Sequence, residues 1–319
     1  MRASKKRTNG MKIGFIGLGT MGKGMAGNIR KAGYEMILHD LQRETAEPLL
    51  DSRVRWAETA KDVAANCDVI FTSLPKPADV EAVCYGENGL NAGFRKETAW
   101  FDLSTNSVES VRSLNLRLAE RQIDFLDAPV SGGPAGAASG KLAIWVGGRR
   151  QVYDRFHEVL ISMADQTRYI GDIGAGSIAK LVHNTASAAI TQVLAESMTV
   201  GVKAGLDPLE LYAAIRGGAL GRMRSFDLIA RRWLTGRLDP ASFELQLQHK
   251  DVKLGVELAR SVGVPTRLCN LAFEELTEAM NRGWSRRDSQ SVLQLQQERA
   301  GVKKFEIPIE EIEEMMKRT

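Results

Sequence analysis

The sequence predicts an α/β protein: an N-terminal doubly wound parallel sheet, then an all-α C-terminal domain, the two joined by one long helix. Three observations carry this. The chain opens on a strand, a glycine turn, a helix and a second strand that ends in an acid. Strand-like and helix-like segments then alternate as far as residue 173. From residue 174 onward the pattern is helical and the strands stop.

The first element is the apolar run Lys12-Ile13-Gly14-Phe15-Ile16, which leads into Gly17-Leu18-Gly19-Thr20-Met21-Gly22. This is a G-x-G-x-x-G turn opening a helix. Asp40 follows the apolar run Met36-Ile37-Leu38, eighteen residues past Gly22, close to the roughly 20 expected of a Rossmann-type dinucleotide-binding unit. Gly17 permits the tight turn, Gly19 lets the backbone approach a pyrophosphate, and Gly22 lets helix and strand pack closely. The helix N-terminus offers unpaired N–H groups to phosphates. A carboxylate at Asp40 accepts hydrogen bonds from a free adenosine ribose and repels a 2′-phosphate, so NAD is favoured over NADP. Arg43 nearby is read as a solvated charge rather than a phosphate ligand.

Four further strands follow. Asp68–Leu74 ends at Pro75, Thr98–Leu103 runs into the loop Ser104-Thr105-Asn106-Ser107, and Ile123–Ala128 ends in Pro129-Val130-Ser131-Gly132-Gly133-Pro134. Leu142–Val146 is bounded by glycines. Helical stretches such as Ser107–Gln122 separate them, which implies a mainly parallel sheet covered on both faces. Ligands then belong at the carboxyl ends of the strands, where Leu74, Thr105 and Ser131 lie. From Ser177 to Ala204 the chain is rich in Ala, Ile, Leu and Val. That is a helix on the order of 40 Å long, expected to run between domains or into a subunit interface. Leu209–Arg216, Met223–Trp233, Val252–Ser261 and Leu268–Asn281 read as further helices, with a short terminal one within Glu306–Thr319.

Bulk properties narrow the function. A chain of 319 residues exceeds one ordinary core and implies two domains, placed at 11–173 and 174–319 behind a disordered tail at 1–10. The charges nearly balance, 43 basic against 39 acidic, with no basic stripe interleaved with aromatics, so nucleic acid is not the expected partner. Cys67, Cys84 and Cys269 have neither disulfide-framework nor C-x-x-C spacing, which fits a reducing cytoplasm. No apolar stretch approaches bilayer length, so no membrane is expected. The basic start resembles a signal peptide, but its apolar segment is the first strand of the nucleotide unit and cleavage would destroy it; Met11 is an alternative start. His39, His157, His183 and His249 are scattered, so no metal site is implied, and His183 is read as a packing residue.

Three stretches carry candidate chemistry. In Gly174-Ala175-Gly176-Ser177-Ile178-Ala179-Lys180-Leu181-Val182-His183-Asn184, Lys180 and Asn184 share one helix face. A lysine on a mostly apolar helix either works as a general acid/base with a depressed pKa or snorkels from a helix start. The segment Ser131-Gly132-Gly133 is either an anion-binding concavity of converging N–H groups or a flexible turn. Lys250-Asp251 reads locally as a solvated charge pair.

Taken together, these motifs resemble the β-hydroxyacid dehydrogenases, typified by 3-hydroxyisobutyrate dehydrogenase. The resemblance runs from Lys12 to about Val302 and rests on four motifs in order: Gly17 to Gly22, Asp127-Ala128-Pro129-Val130-Ser131-Gly132-Gly133, Gly174-x-Gly176-x-x-x-Lys180-x-x-x-Asn184, and Lys250-Asp251. It implies reversible hydride transfer between NAD, or NADP, and a small hydroxy acid or its semialdehyde. Lys180 would be the acid/base, and Ser131, Gly132, Gly133 and Asn184 would hold the carboxylate-bearing substrate. Leu74, Pro75, Thr105 and Lys250 would join Gly17–Gly22 and Asp40 near the cofactor. It also implies a homodimer or homotetramer. Imine reductases share the architecture but generally lack the lysine, and a catalytically silent NAD(H)-binding scaffold is the non-enzymatic alternative. Two departures stand out: Ser107 replaces a proline common in the family, and Arg222 and Arg224 add positive charge where the substrate is expected.

Overall fold

A computed structural model describes residues 10–218, 220 and 224–318. The expected tail therefore lies almost wholly outside the described residues, as does Arg222. The chain divides into two compact units between Lys180 and Leu181.

In the first unit the strands are β1 (Lys12–Ile16), β2 (Glu35–His39), β3 (Val54–Trp56), β4 (Val69–Thr72), β5 (Ala99–Asp102), β6 (Asp124–Asp127), β7 (Val130–Ser131), β8 (Leu142–Gly147) and β9 (Ala164–Gly171). They alternate with helices α1 (Gly22–Lys31), α2 (Ala60–Asn66), α3 (Pro77–Tyr85), α4 (Leu90–Gly93), α5 (Val108–Ala119), α6 (Gly133–Ser139) and α7 (Arg150–Met163). The sheet order is β3-β2-β1-β4-β5-β6-β8-β7, with β9 on β8. From β3 through β6 every pairing is parallel. The expectation of a mainly parallel sheet holds there, while β8 runs antiparallel to both β6 and β7. Because β1 lies between β2 and β4, strand order reverses beside it, and the carboxyl ends of β1 and β4 flank the resulting crevice.

Strand periodicity builds two cores. Phe15, Phe71 and Phe101 point to one face, where they pack with Met25 and Ile29 of α1 and Phe156 of α7. Ile70, Trp100 and Phe125 point to the other, against α2 and α5. Side chains alternating by residue across β4 and β5 are what a sheet buried on both faces requires. Helix α5 starts where a cap exists: the Ser107 side chain accepts from the Ser110 N–H, a role a proline at that position could not fill.

The second unit is helical. It comprises most of α8 (Ala175–Lys203), then α9 (Pro208–Gly217), α10 (Arg224–Ile229), a π turn at Ala230–Leu234, α11 (Leu245–Ser261), α12 (Arg267–Asn281), α13 (Leu293–Ala300) and α14 (Ile309–Arg318). Tyr212, Trp233, Leu245, Val252, Leu276 and Leu293 form its core. Trp233 donates to Gln297 at 2.8 Å, which satisfies its buried N–H.

Candidate active site

The glycine turn has the form its sequence requires. Gly17 adopts φ +91° and donates its N–H to the His39 carbonyl at 3.1 Å. A side chain at Gly22 would overlap the Gly17 carbonyl oxygen, whereas one at Gly19 would meet nothing within 4 Å. The space beside Gly19 is therefore open, which suits close approach of a pyrophosphate. Helix α1 begins after Met21 with no side-chain cap and no acid in its first turn, so its positive end is not neutralised locally. These features fit a dinucleotide.

Asp40 closes this site. It accepts the Leu18 N–H at 2.6 Å on one oxygen and the Gln42 N–H at 3.0 Å on the other. Each carboxylate oxygen keeps a further lone pair for a ribose hydroxyl. Arg43 reaches Glu58 at 3.4 Å with both side chains exposed.

Beyond β4 and β5 the loops bearing Leu74, Pro75 and Thr105 are tied by Asp102. This residue is buried, and its Oδ1 accepts from Thr72 Oγ1 at 2.9 Å and from the Ser104 N–H at 3.2 Å. Asn106 approaches its other oxygen at 3.4 Å. Ser104 Oγ in turn accepts the Leu74 N–H at 2.8 Å. Burial pushes the Asp102 carboxyl up to about 6, against the pull of these donors.

Ser131 ends β7, and Gly132 and Gly133 follow at φ +133° and +62°, backbone open mainly to glycine. Gly133 begins α6, which packs on α1, where Asn28 Nδ2 donates to the Ala137 carbonyl at 2.7 Å. The helix that follows the Ser-Gly-Gly loop is thereby packed on the helix that follows the nucleotide turn.

Asp127, at the end of β6, is buried and spans to the start of α8. Its Oδ1 accepts the Gly174 N–H at 2.8 Å and its Oδ2 the Ser177 N–H at 2.6 Å. Burial raises its carboxyl above the ordinary range while these two donors oppose the shift. Lys180 follows one turn later, half-buried.

In the helical unit Asn184 Nδ2 donates to Asp251 Oδ2 at 2.5 Å, and Lys250 Nζ lies 2.9 Å from Asp251 Oδ1. Asp251 is buried and only 21% of the Lys250 side chain is exposed. The local reading of a solvated pair is therefore wrong. Helix α11 starts at Leu245 rather than Val252, so the pair sits inside a packed helix. Because Asp251 can only accept when ionised, the Asn184 amide nitrogen must face it. His183, expected to pack, is exposed on α8.

Sequence reasoning gave no role to Asp102, Asp127 or Asp251. The available signal was an acid at a strand end immediately before a loop expected to meet ligand, twice over, and an acid adjoining Lys250 in the family motif. Arg222 lies outside the described residues, and Arg224 begins α10. No group of three His, Cys, Asp or Glu among the described residues is arranged to hold a metal.

Residues 12–171 match the family described as the NAD binding domain of 6-phosphogluconate dehydrogenase. Residues 174–296 match that described as NAD-binding of NADP-dependent 3-hydroxyisobutyrate dehydrogenase. The chain is 34% identical to 2-(hydroxymethyl)glutarate dehydrogenase of Eubacterium barkeri, over 92% of this chain and 97% of that one. It is 32% identical to mitochondrial 3-hydroxyisobutyrate dehydrogenase of Rattus norvegicus, over 91% and 88%. The crystal structure of 3-hydroxyisobutyrate dehydrogenase from Salmonella typhimurium superposes with a TM-score of 0.81 at 26% identity, covering 89% of this chain and 99% of that one. The chain belongs to the β-hydroxyacid dehydrogenases of the 3-hydroxyisobutyrate dehydrogenase type and is an NAD(P)-dependent oxidoreductase.

Proposed function

We propose that the protein catalyses reversible hydride transfer between a nicotinamide cofactor and a small β-hydroxy acid, 3-hydroxyisobutyrate-like, or its semialdehyde. The observation that most supports this is the setting of α8. Asp127 holds the first turn of that helix, Lys180 stands in the next, and Asn184 follows one turn on with its amide oriented by Asp251.

The bound nicotinamide supplies the hydride acceptor or donor. The chain supplies the proton and the alignment. In oxidation, neutral Lys180 accepts the hydroxyl proton as hydride leaves the carbinol carbon; in reduction, its ammonium donates that proton and stabilises the developing alkoxide. Ser131, Gly132 and Gly133 bind the substrate carboxylate through converging donors, and Asn184 fixes the hydroxyl region. Alignment of this kind supplies roughly 7–11 kcal/mol of the barrier at best.

Gly17–Gly22 hold the pyrophosphate and Asp40 the adenosine ribose, which favours NAD over NADP. Leu74, Pro75, Thr105 and Lys250 complete the cofactor contacts by family resemblance. The same reading assigns residues 11–173 to cofactor and 174–319 to substrate and subunit contacts. Exposed apolar side chains on the helical unit, Val182, Ile190, Leu268 and Leu271 among them, support assembly as a homodimer or homotetramer. The three cysteines are unpaired, in keeping with a reducing cytoplasm, and no helix among the described residues is long and apolar enough to cross a membrane.

Initial rates with NAD and NADP across 3-hydroxyisobutyrate, L-serine, glycerate, 4-hydroxybutyrate and 2-(hydroxymethyl)glutarate test the proposal. Turnover of at least one acid, faster with NAD, is the expected result. Tight NADH binding without turnover of any acid or matching aldehyde would replace it with the scaffold reading.

A further inference from the structure

We propose that Asp127 is the positioning residue for Lys180, a single buried carboxylate that locks the lysine-bearing helix to the strand leading into the Ser131-Gly132-Gly133 loop. The inference rests on the acid/base reading of Lys180 and extends it to a residue that touches neither substrate nor cofactor.

Helices usually satisfy their first N–H groups with a Ser, Thr, Asp or Asn at the N-cap itself. Helix α8 cannot, because Gly174 precedes its first residue and has no side chain. The acceptor comes instead from the end of β6, 47 residues from Gly174 and 50 from Ser177. A cap imported over that distance does more than start a helix: it sets where the helix starts relative to the sheet.

The surroundings are built around this carboxylate. A β-carbon at Gly147 would lie 2.5 Å from Asp127 Oδ1, and one at Gly176 would lie 2.7 Å from the Asp127 carbonyl oxygen. A side chain at Gly147 would press on the carboxylate itself, and one at Gly176 on the backbone carbonyls of Trp145 and Asp127. Asp127 is 1% exposed, so water cannot substitute for its oxygens. Four residues beyond it in the chain is Ser131, and three residues beyond its Ser177 partner is Lys180. One side chain thus couples the group proposed to seat the substrate carboxylate to the group proposed to move the proton. Misplacement of about 1 Å between two such groups costs about 10²-fold in rate.

Asp127→Asn is nearly isosteric but presents an amide N–H to one of the two backbone donors, so one bond is lost. The expected result is a kcat lower by about 10- to 100-fold, the range of one charge-assisted hydrogen bond, with KM for NAD and NADH affinity within about twofold of wild type. A purely structural role would lower thermal stability and NADH binding together and leave kcat per NADH-binding site intact. Combining Asp127→Asn with Lys180→Ala gives the decisive cycle: if Asp127 acts through Lys180, the double variant is no slower than Lys180→Ala alone. Asp127→Ser, which shortens the side chain without adding bulk and releases at least one of the two helix N–H groups, provides a second variant should Asp127→Asn not fold, with the same split between kcat and KM. Wild-type kcat per site in Asp127→Asn, or in Asp127→Ser where that variant stands in for it, or losses that multiply with that of Lys180→Ala, would overturn this proposal alone. Full activity in Lys180→Ala itself would overturn the acid/base reading and this proposal with it.

Discussion

Two glycines of the turn are predicted to fail in opposite ways when given a methyl group. At Gly19 a β-carbon meets nothing within 4 Å, and the residue has no positive φ. Gly19→Ala should therefore leave the unliganded protein as stable as wild type, or more stable by about 0.4–1 kcal/mol through the unfolded chain. The methyl occupies the space a pyrophosphate must approach. Overpacking by one such group costs about 1–3 kcal/mol, so the NADH Kd should rise about 10- to 100-fold. At Gly22 the β-carbon overlaps the Gly17 carbonyl oxygen and lies 2.9 Å from its carbonyl carbon and 3.2 Å from Phe15 Cε1. Carbon contacts are optimal at about 3.5–4.0 Å, and the peptide that carries this carbonyl is tethered through the Leu18 N–H to Asp40 at 2.6 Å. Gly22→Ala must therefore distort the fold itself, at about 2–3 kcal/mol, lowering Tm by roughly 5–10 °C. Differential scanning fluorimetry without ligand and NADH titration by fluorescence separate the two. A Gly19→Ala protein that binds NADH with wild-type affinity would refute the assignment of the open space to the pyrophosphate.

Further predictions concern Asp40, Asp102 and Asp251. Replacing Asp40 by Asn removes the charge facing the ribose, and the ratio of kcat/KM for NAD over NADP should fall at least about tenfold; an unchanged ratio would remove Asp40 from cofactor choice. The Asp102 carboxyl sits at about 6 in the fold against 3.8 for an unperturbed aspartate. It therefore costs nothing below pH 4 and up to about 3 kcal/mol as pH rises through 6. Urea unfolding should show the stability difference between wild type and Asp102→Asn changing by about that amount between pH 4 and 7, in favour of the variant at high pH. A pH-independent difference contradicts this. Asp251→Ala releases Asn184 and Lys250 together, and kcat/KM for the acid should drop about 10- to 100-fold. A drop confined to NADH affinity would mean that Asn184 does not meet the substrate.

The sheet half of this protein was largely legible because its signals are local. Gly17 to Gly22 and Asp40 lie within thirty residues, and the apolar runs of β4, β5 and β6 carry their burial in their composition. Strands β3 and β9 were not anticipated. Val54–Trp56 is three residues long, and Ala164–Gly171 is largely polar with only Ala164 buried, so neither carries a hydrophobic pattern. The acids were illegible for another reason: a carboxylate declares its burial only once distant segments close over it. Nothing near Asp127 in the chain names Gly174 and Ser177 as its donors. Lys250-Asp251 was misread because the start of α11 at Leu245 has no capping side chain to announce it.

The central claim is that Lys180 moves the proton, and Lys180→Ala tests it most directly. With a turned-over hydroxy acid and NAD, kcat should fall by at least about 10²-fold, while NADH affinity and Tm stay near wild type. A Lys180→Ala enzyme with wild-type kcat would contradict the mechanism.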